Sequence, residues 1–123
     1  MSCKLSHILS NKNSISSLSA LSQKSGKIIT VSSSAGMDAK VDAKGYHPYG
    51  LAKSAIIYYT RSLALELAPH NINVNAVCPG MVMTPMTKMV YEREPELRAQ
   101  RLKRMPARRE AQPEEVANLV IFL

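Results

Sequence analysis

Residues 26–36 read GKIITVSSSAG, and residues 72–80 read INVNAVCPG. The first stretch opens with Lys27–Val31, a short β-branched run of the kind that suits a parallel strand buried on both faces. It gives way to Ser32, Ser33, Ser34, Ala35 and Gly36, a turn composition. In the second stretch Ile72, Val74, Ala76 and Cys78 fall on one face of a strand, and the tight turn Pro79-Gly80 closes it. Between them lies a helix. Pro48 suits its first turn, where a missing N–H costs nothing. Ala52, Ile56, Leu63 and Leu67 form an apolar stripe that Ile57, Ala64 and Leu65 widen, so burial on more than one side is expected. Pro69 and Asn71 end the helix. Strand, helix, strand in this order is a right-handed crossover with parallel strands. The expected fold class is therefore α/β, with part of a doubly wound parallel sheet.

Outward from this unit, residues 37–46 read as a loop. A charged helical stretch runs from about Thr87 to Arg104, and a last helix opens at Gln112-Pro113-Glu114-Glu115, with Pro at its start and acids in its first turn. It is still apolar at Val120–Leu123. Residues 1–25 differ: nine are Ser, and none is acidic, Gly or Pro. They read as a Ser-rich, irregular leader ahead of one partial domain at 26–123. Organelle targeting is a weaker alternative, because the leader lacks the Arg content of transit peptides.

The 123 residues fit one domain, and 46% are hydrophobic, a globular composition. No apolar run approaches the roughly 18 residues that span a bilayer, so the expectation is a soluble, cytoplasmic chain without a membrane partner. Cys3 and Cys78 stand apart, as do His7, His47 and His70, and nothing has metal-ligand spacing. The net charge is +7, of which Lys4, Lys12, Lys24 and Lys27 supply +4. The Arg-rich segment 91–110 interleaves Glu92, Glu94, Glu96 and Glu110 with its arginines, which usually marks a solvated face. With one Phe and five Tyr and no aromatic-basic interleaving, nucleic acid is not the expected partner.

Chemistry enters at Tyr49 and Lys53, four apart at the start of the helix and hence one turn apart on one face. A free Tyr titrates at about 10. A neighbouring ammonium favours the phenolate, and a Tyr tuned this way can exchange a proton near neutrality. Ser33 lies at the end of the preceding strand, where open α/β sheets place their ligands, and could hold a carbonyl oxygen while Tyr49 protonates it. Alone, Tyr-x-x-x-Lys is common in helices, and a packed Tyr beside a solvated Lys explains it equally well.

The surrounding order of motifs is more specific. Residues 26–123 resemble the short-chain dehydrogenase/reductase family. GKIITVSSSAG looks like that family's serine-bearing fifth strand, and YGLAK (49–53) like its Tyr-x-x-x-Lys motif. RSLALELAP (61–69) followed by INVNAVCPG looks like the next helix and sixth strand. Pro79-Gly80 with Thr84 looks like the turn against the nicotinamide, and QPEEVA (112–117) like a late helix. The resemblance implies a Rossmann-like sheet and NAD or NADP as cofactor, with a small carbonyl or alcohol as substrate and a homo-oligomeric full-length relative. It implies that Ser33 orients the carbonyl, three before Gly36, with Ser32 and Ser34 as nearby decoys. It implies Tyr49 as general acid/base and also as a cofactor contact, and Lys53 as its partner and as a binder of the nicotinamide ribose. Pro79, Gly80 and Val82 would lie along the nicotinamide, and Thr84 would bond the carboxamide or a phosphate. Tyr46 has no Lys four residues on and, with His47, is expected to shape the substrate loop or to pack.

The family's Gly-rich phosphate turn has no counterpart. The glycines are 26, 36, 45, 50 and 80, and no two are spaced as Gly-x-Gly or Gly-x-x-x-Gly. Two readings stay open: an NAD(P)-dependent oxidoreductase present as a fragment, or an inactive interaction module that binds other subunits of the family. Residues 37–47 and 81–104 are the segments expected to set the substrate.

Overall fold

The computed structural model describes residues 23–38 and 47–123. The loop positions 39–46, Tyr46 included, lie outside the described residues, as do Cys3, His7 and the leader through residue 22. Strand β1 is Gly26–Val31, helix α1 is His47–Leu67 and strand β2 is Ile72–Val77. The strands pair in parallel, in a register that sets Gly26 opposite Ile72 and Val31 opposite Val77. The expected order of strand, helix and parallel strand is there, with α1 packed on a sheet that has two strands among the described residues.

The core lies between helix and sheet. Leu67, Ile72 and Val74 are buried together, with Ile28, Leu63 and Ala64 against them. Alternation puts Ile72 and Val74 inward and Asn73 outward, as expected. Val77 breaks the pattern by being buried at the other parity, and Cys78 lies beyond the strand rather than on its inner face. Below the core, Thr30 Oγ1 and Thr60 Oγ1 share a 2.7 Å hydrogen bond, and Thr60 Oγ1 donates to Ile56 O at 2.7 Å. The helix ends through a 3₁₀ turn at Ala68–His70 into Asn71, whose φ of 56° is left-handed. Asn tolerates that region because its short side chain clashes little there.

Two expectations about helices need correction. The charged stretch 87–104 is two helices, α2 (Pro85–Arg93) and α3 (Pro95–Arg104), meeting at Glu94. Pro95 has no N–H for an intrahelical bond, and it pushes the residue before it out of the helical region; Glu94 sits at φ −132°, ψ 70°. On α1, Leu65 is 80% exposed and Ala52 is also exposed, so among the described residues only one side of that helix is covered. Helix α4 (Pro113–Phe122) begins as expected, with Gln112 N donating to Glu115 Oε2 at 2.7 Å and Glu115 N to Gln112 O at 3.0 Å. No helix among the described residues is long and apolar enough to cross a membrane.

Candidate active site

The C-terminal ends of β1 and β2 and the first turns of α1 converge. Backbone pairing continues past both strands, with Ser32 N donating to Val77 O at 2.8 Å and Ser34 N to Pro79 O at 2.9 Å. Ser33 is thereby held alongside the Pro79-Gly80 turn. Its backbone is extended, it caps a 3₁₀ turn at Ser34–Gly36, and its Oγ accepts from Ala35 N at 3.2 Å. A hydroxyl that accepts this bond keeps its own hydrogen for another acceptor.

Helix α1 comes very close to that turn. An ideal Cβ on Gly36 would lie 2.6 Å from the Lys53 carbonyl carbon and 2.8 Å from Ser54 N, and one on Gly50 would lie 3.0 Å from Ala35 O. At Gly36 only a residue without a Cβ permits this approach, while at Gly50 an added Cβ would be a tight contact. Two side chains then bridge it: Ser32 Oγ donates to Lys53 O and Ser54 Oγ donates to Gly36 O, each at 2.7 Å.

Tyr49 and Lys53 come together as their spacing anticipates. The Lys53 ammonium lies 5.7 Å from the Tyr49 ring centroid and donates to Val31 O at 3.3 Å. A cation over an aromatic face within about 6 Å is attracted by the ring quadrupole. Tyr49 is 47% exposed, open to a ligand from solvent. His47 starts the same helix.

The arm after β2 is tied to the chain ahead of α4 by backbone hydrogen bonds. Met83 N donates to Ala111 O at 2.8 Å and Ala111 N to Met81 O at 2.9 Å, fastening Val82 in a parallel bridge with Ala111. Thr84 caps α2: its Oγ1 accepts from Thr87 N at 3.2 Å, and its own N donates to Thr87 Oγ1 at 2.7 Å. Its hydroxyl is thus already engaged, and a ligand contact would share it. Gly80 is exposed, with no atom within 4 Å of an added Cβ.

Behind the arm, a cleft of about 710 Å³ lies in the segment expected to set the substrate, lined among others by Met83, Lys88, Tyr91, Arg98 and Leu102. Arg98 and Arg101 each lie 5.9 Å from the buried Tyr91 ring. Arg98 also donates to Glu110 through Nε and Nη2, at 2.8 and 3.3 Å. Glu110 is 6% exposed, which corrects the reading of 91–110 as a wholly solvated face. The Arg98 hydrogen bond holds its carboxyl below the usual range, against the opposing effect of burial. Arg109 pairs with Glu115 at 2.7 and 2.8 Å and, helped by Gln112 N, lowers that carboxyl to about 2.

The donor set fits the nicotinamide-ribose side of a dinucleotide: an ammonium beside a phenol at one strand end, and open backbone at Gly80 on the next. The glycines contain no pair spaced for a pyrophosphate cradle. Among the described residues no group of three or more His, Cys, Asp or Glu could hold a metal ion.

A family model described as enoyl-(acyl carrier protein) reductase matches residues 8–123. The chain belongs to the short-chain dehydrogenase/reductase family. The 3-oxoacyl-[acyl-carrier-protein] reductase FabG of Aquifex aeolicus is 41% identical over 103 residues, 84% of this chain and 39% of the relative. A 3-oxoacyl-[acyl-carrier protein] reductase of Brucella melitensis solved with bound NAD superimposes with a TM-score of 0.72 at 36% identity, over 87% of this chain and 37% of that one. A variant of actinorhodin polyketide ketoreductase solved with NADPH gives 0.72 at 37% identity, over 84% and 41%. The chain thus spans about two fifths of the length of these family members. The Rossmann-like α/β class expected from the motif order is the family's fold in these structures.

Sequence reasoning set Ser32 aside as a decoy and passed over Ser54, although both hydroxyls tie the turn to the helix. The available signals were a buried-strand position ending in Ser and a second Ser directly after Lys53. Neither has meaning until Gly36 brings the two backbones together.

Proposed function

We propose that this chain carries the catalytic residues of an NAD(P)-dependent oxidoreductase that interconverts a carbonyl and an alcohol. What supports the reading is the Lys53 ammonium 5.7 Å from the Tyr49 ring, with the strand end that bears Ser33 tied to the same helical turn through the Ser32 Oγ to Lys53 O bond. Lys53 and the arm from Pro79 to Thr84 would hold NADH or NADPH, which would supply the hydride for the carbonyl carbon. Ser33 donates a hydrogen bond to the carbonyl oxygen and fixes its position. Tyr49 gives its phenol proton to that oxygen as negative charge develops there. The Lys53 ammonium stabilises the phenolate left behind and would hold the ribose hydroxyls. Pro79, Gly80, Val82 and Thr84 would line the nicotinamide.

Relatives whose names specify 3-oxoacyl thioesters make that class the first substrate to try. The test is loss of nucleotide fluorescence on mixing the chain with NADPH and a 3-oxoacyl thioester. Turnover that disappears in Tyr49→Phe supports the reading, and turnover that survives the substitution overturns it.

A further inference from the structure

We infer that Ser32 and Ser54 are positioning residues, a crossed pair of hydroxyl-to-carbonyl bonds that sets Ser33 in place against the Tyr49–Lys53 turn. The inference rests on the carbonyl chemistry proposed above. The two bonds run in opposite directions across one interface. Ser32, on the strand side, donates to the helix at Lys53 O; Ser54, on the helix side, donates to the turn at Gly36 O; both are 2.7 Å long. On the turn they flank Ser33, one residue before it and three after. On the helix they fall on consecutive residues, one of which is Lys53 itself.

Neither bond is needed for secondary structure. The turn already closes through Gly36 N to Ser33 O at 3.0 Å and Met37 N to Ser34 O at 3.1 Å. What the pair adds is relative placement. A single bond leaves the turn free to pivot, whereas two antiparallel bonds at separated points remove the rotation and the slide together. Gly36 supplies the third constraint, since its close approach to Lys53 makes both bonds short enough to form. The bonds differ in setting. Ser32 is buried, so its hydroxyl has no water to replace a lost acceptor. Ser54 is exposed, and water can take its place in part.

The catalytic consequence is geometric. Ser33 and Tyr49 must address one carbonyl oxygen from two different elements, and misplacement of about 1 Å can cost two orders of magnitude in rate. Loss of the clasp should therefore lower kcat with little change in KM, because substrate binding does not depend on that alignment as steeply.

The test compares the parent chain with Ser32→Ala, Ser54→Ala and Ser32→Thr, reading NADPH turnover, thermal unfolding and amide hydrogen exchange resolved by residue. Ser32→Ala is expected to lower kcat roughly tenfold or more, with KM within about twofold. The Ala35 and Gly36 amides should exchange faster while those of β2 do not. Ser54→Ala should do the same to a smaller degree, and Ser32→Thr, which keeps the hydroxyl, should restore both readouts. Unchanged exchange at Ala35 and Gly36 in both alanine variants overturns the clasp, whether or not the chain turns over. A uniform loss of stability with kcat per folded molecule unchanged overturns it as well. A parent chain with no turnover sinks the proposed reaction instead, and leaves the exchange readout to decide the clasp.

Discussion

Tyr49 is half exposed with an ammonium against its ring, while Ser33 keeps a hydroxyl hydrogen to donate. Phenylalanine at position 49 would keep the ring and the cation contact and remove the phenolic hydroxyl, and with it the transferable proton. Tyr49→Phe should therefore lower kcat by about 10²–10⁴-fold, with NADPH affinity within a factor of a few, as single-turnover kinetics and a binding titration would read. Gly36 is a different kind of residue, because it does no chemistry and only permits contact. A methyl group 2.6 Å from the Lys53 carbonyl carbon must push backbone against backbone. Overpacking of this sort costs about 1–3 kcal/mol, so Gly36→Ala should lower the midpoint of denaturant unfolding accordingly. It should also reduce turnover, since the Ser32 and Ser54 bonds stretch with it. The Tyr49–Lys53 pair was legible in the sequence because a helix turns spacing into proximity. The Ser32–Lys53 and Ser54–Gly36 bonds were not, since they span 21 and 18 residues and depend on how closely two elements pack.

Elements were legible where local chemistry dictates them. The β-branched run at Ile28–Val31, Pro48 in the first turn of α1 and Asn71 after its end all act through their own backbone preferences. The break between α2 and α3 was also written locally, in Pro95, but the charge pattern continues across it and masks the stop. Burial of Glu110 was not legible, because its partner Arg98 is 12 residues away on another element. At the start of α4 the capping carboxylate gives a pH prediction. Glu115 falls from an ordinary 4.5 to about 2, through Arg109 and then the Gln112 N–H. A depressed carboxyl contributes stability that is present above the unfolded value and lost as pH falls through the folded one. The unfolding midpoint should thus decline between about pH 4.5 and 2. Glu115→Gln should flatten that slope, and since both partners are exposed, so should added salt. An unaltered slope in the variant would assign the acid response to Glu110 or another carboxylate.

At the scale of the whole molecule, α1 carries Leu51, Tyr58 and Leu65 at seven-residue intervals, all well exposed, and Ile121 and Phe122 are exposed at the end of α4. The apolar stripe marked Leu65 for burial, but periodicity says nothing about whether a neighbour is there. Surface of this kind should bind a hydrophobic dye while circular dichroism remains native-like. Leu51→Lys with Leu65→Lys should reduce that binding without loss of helix.

The division of labour within a dinucleotide site gives the sharpest whole-chain test. On the reading proposed above, Lys53, Gly80, Val82 and Thr84 would address the nicotinamide side, whereas phosphate recognition ordinarily relies on backbone N–H groups at a Gly-rich helix N-terminus. The five glycines of this chain offer no such pairing: Gly36 is packed against α1, Gly50 lies within that helix and Gly80 follows β2. For these 123 residues the adenosine and pyrophosphate should therefore add little to binding. Reduced nicotinamide mononucleotide and NADPH are expected to bind within about threefold of each other, a difference below 1 kcal/mol. Lys53→Ala should weaken both alike, because it acts on the half they share. NADPH binding tighter by a hundredfold, or a Lys53→Ala effect confined to one of the two ligands, would mean that the phosphates are held elsewhere in the chain, and the assignment of its binding residues to the nicotinamide end would have to be given up.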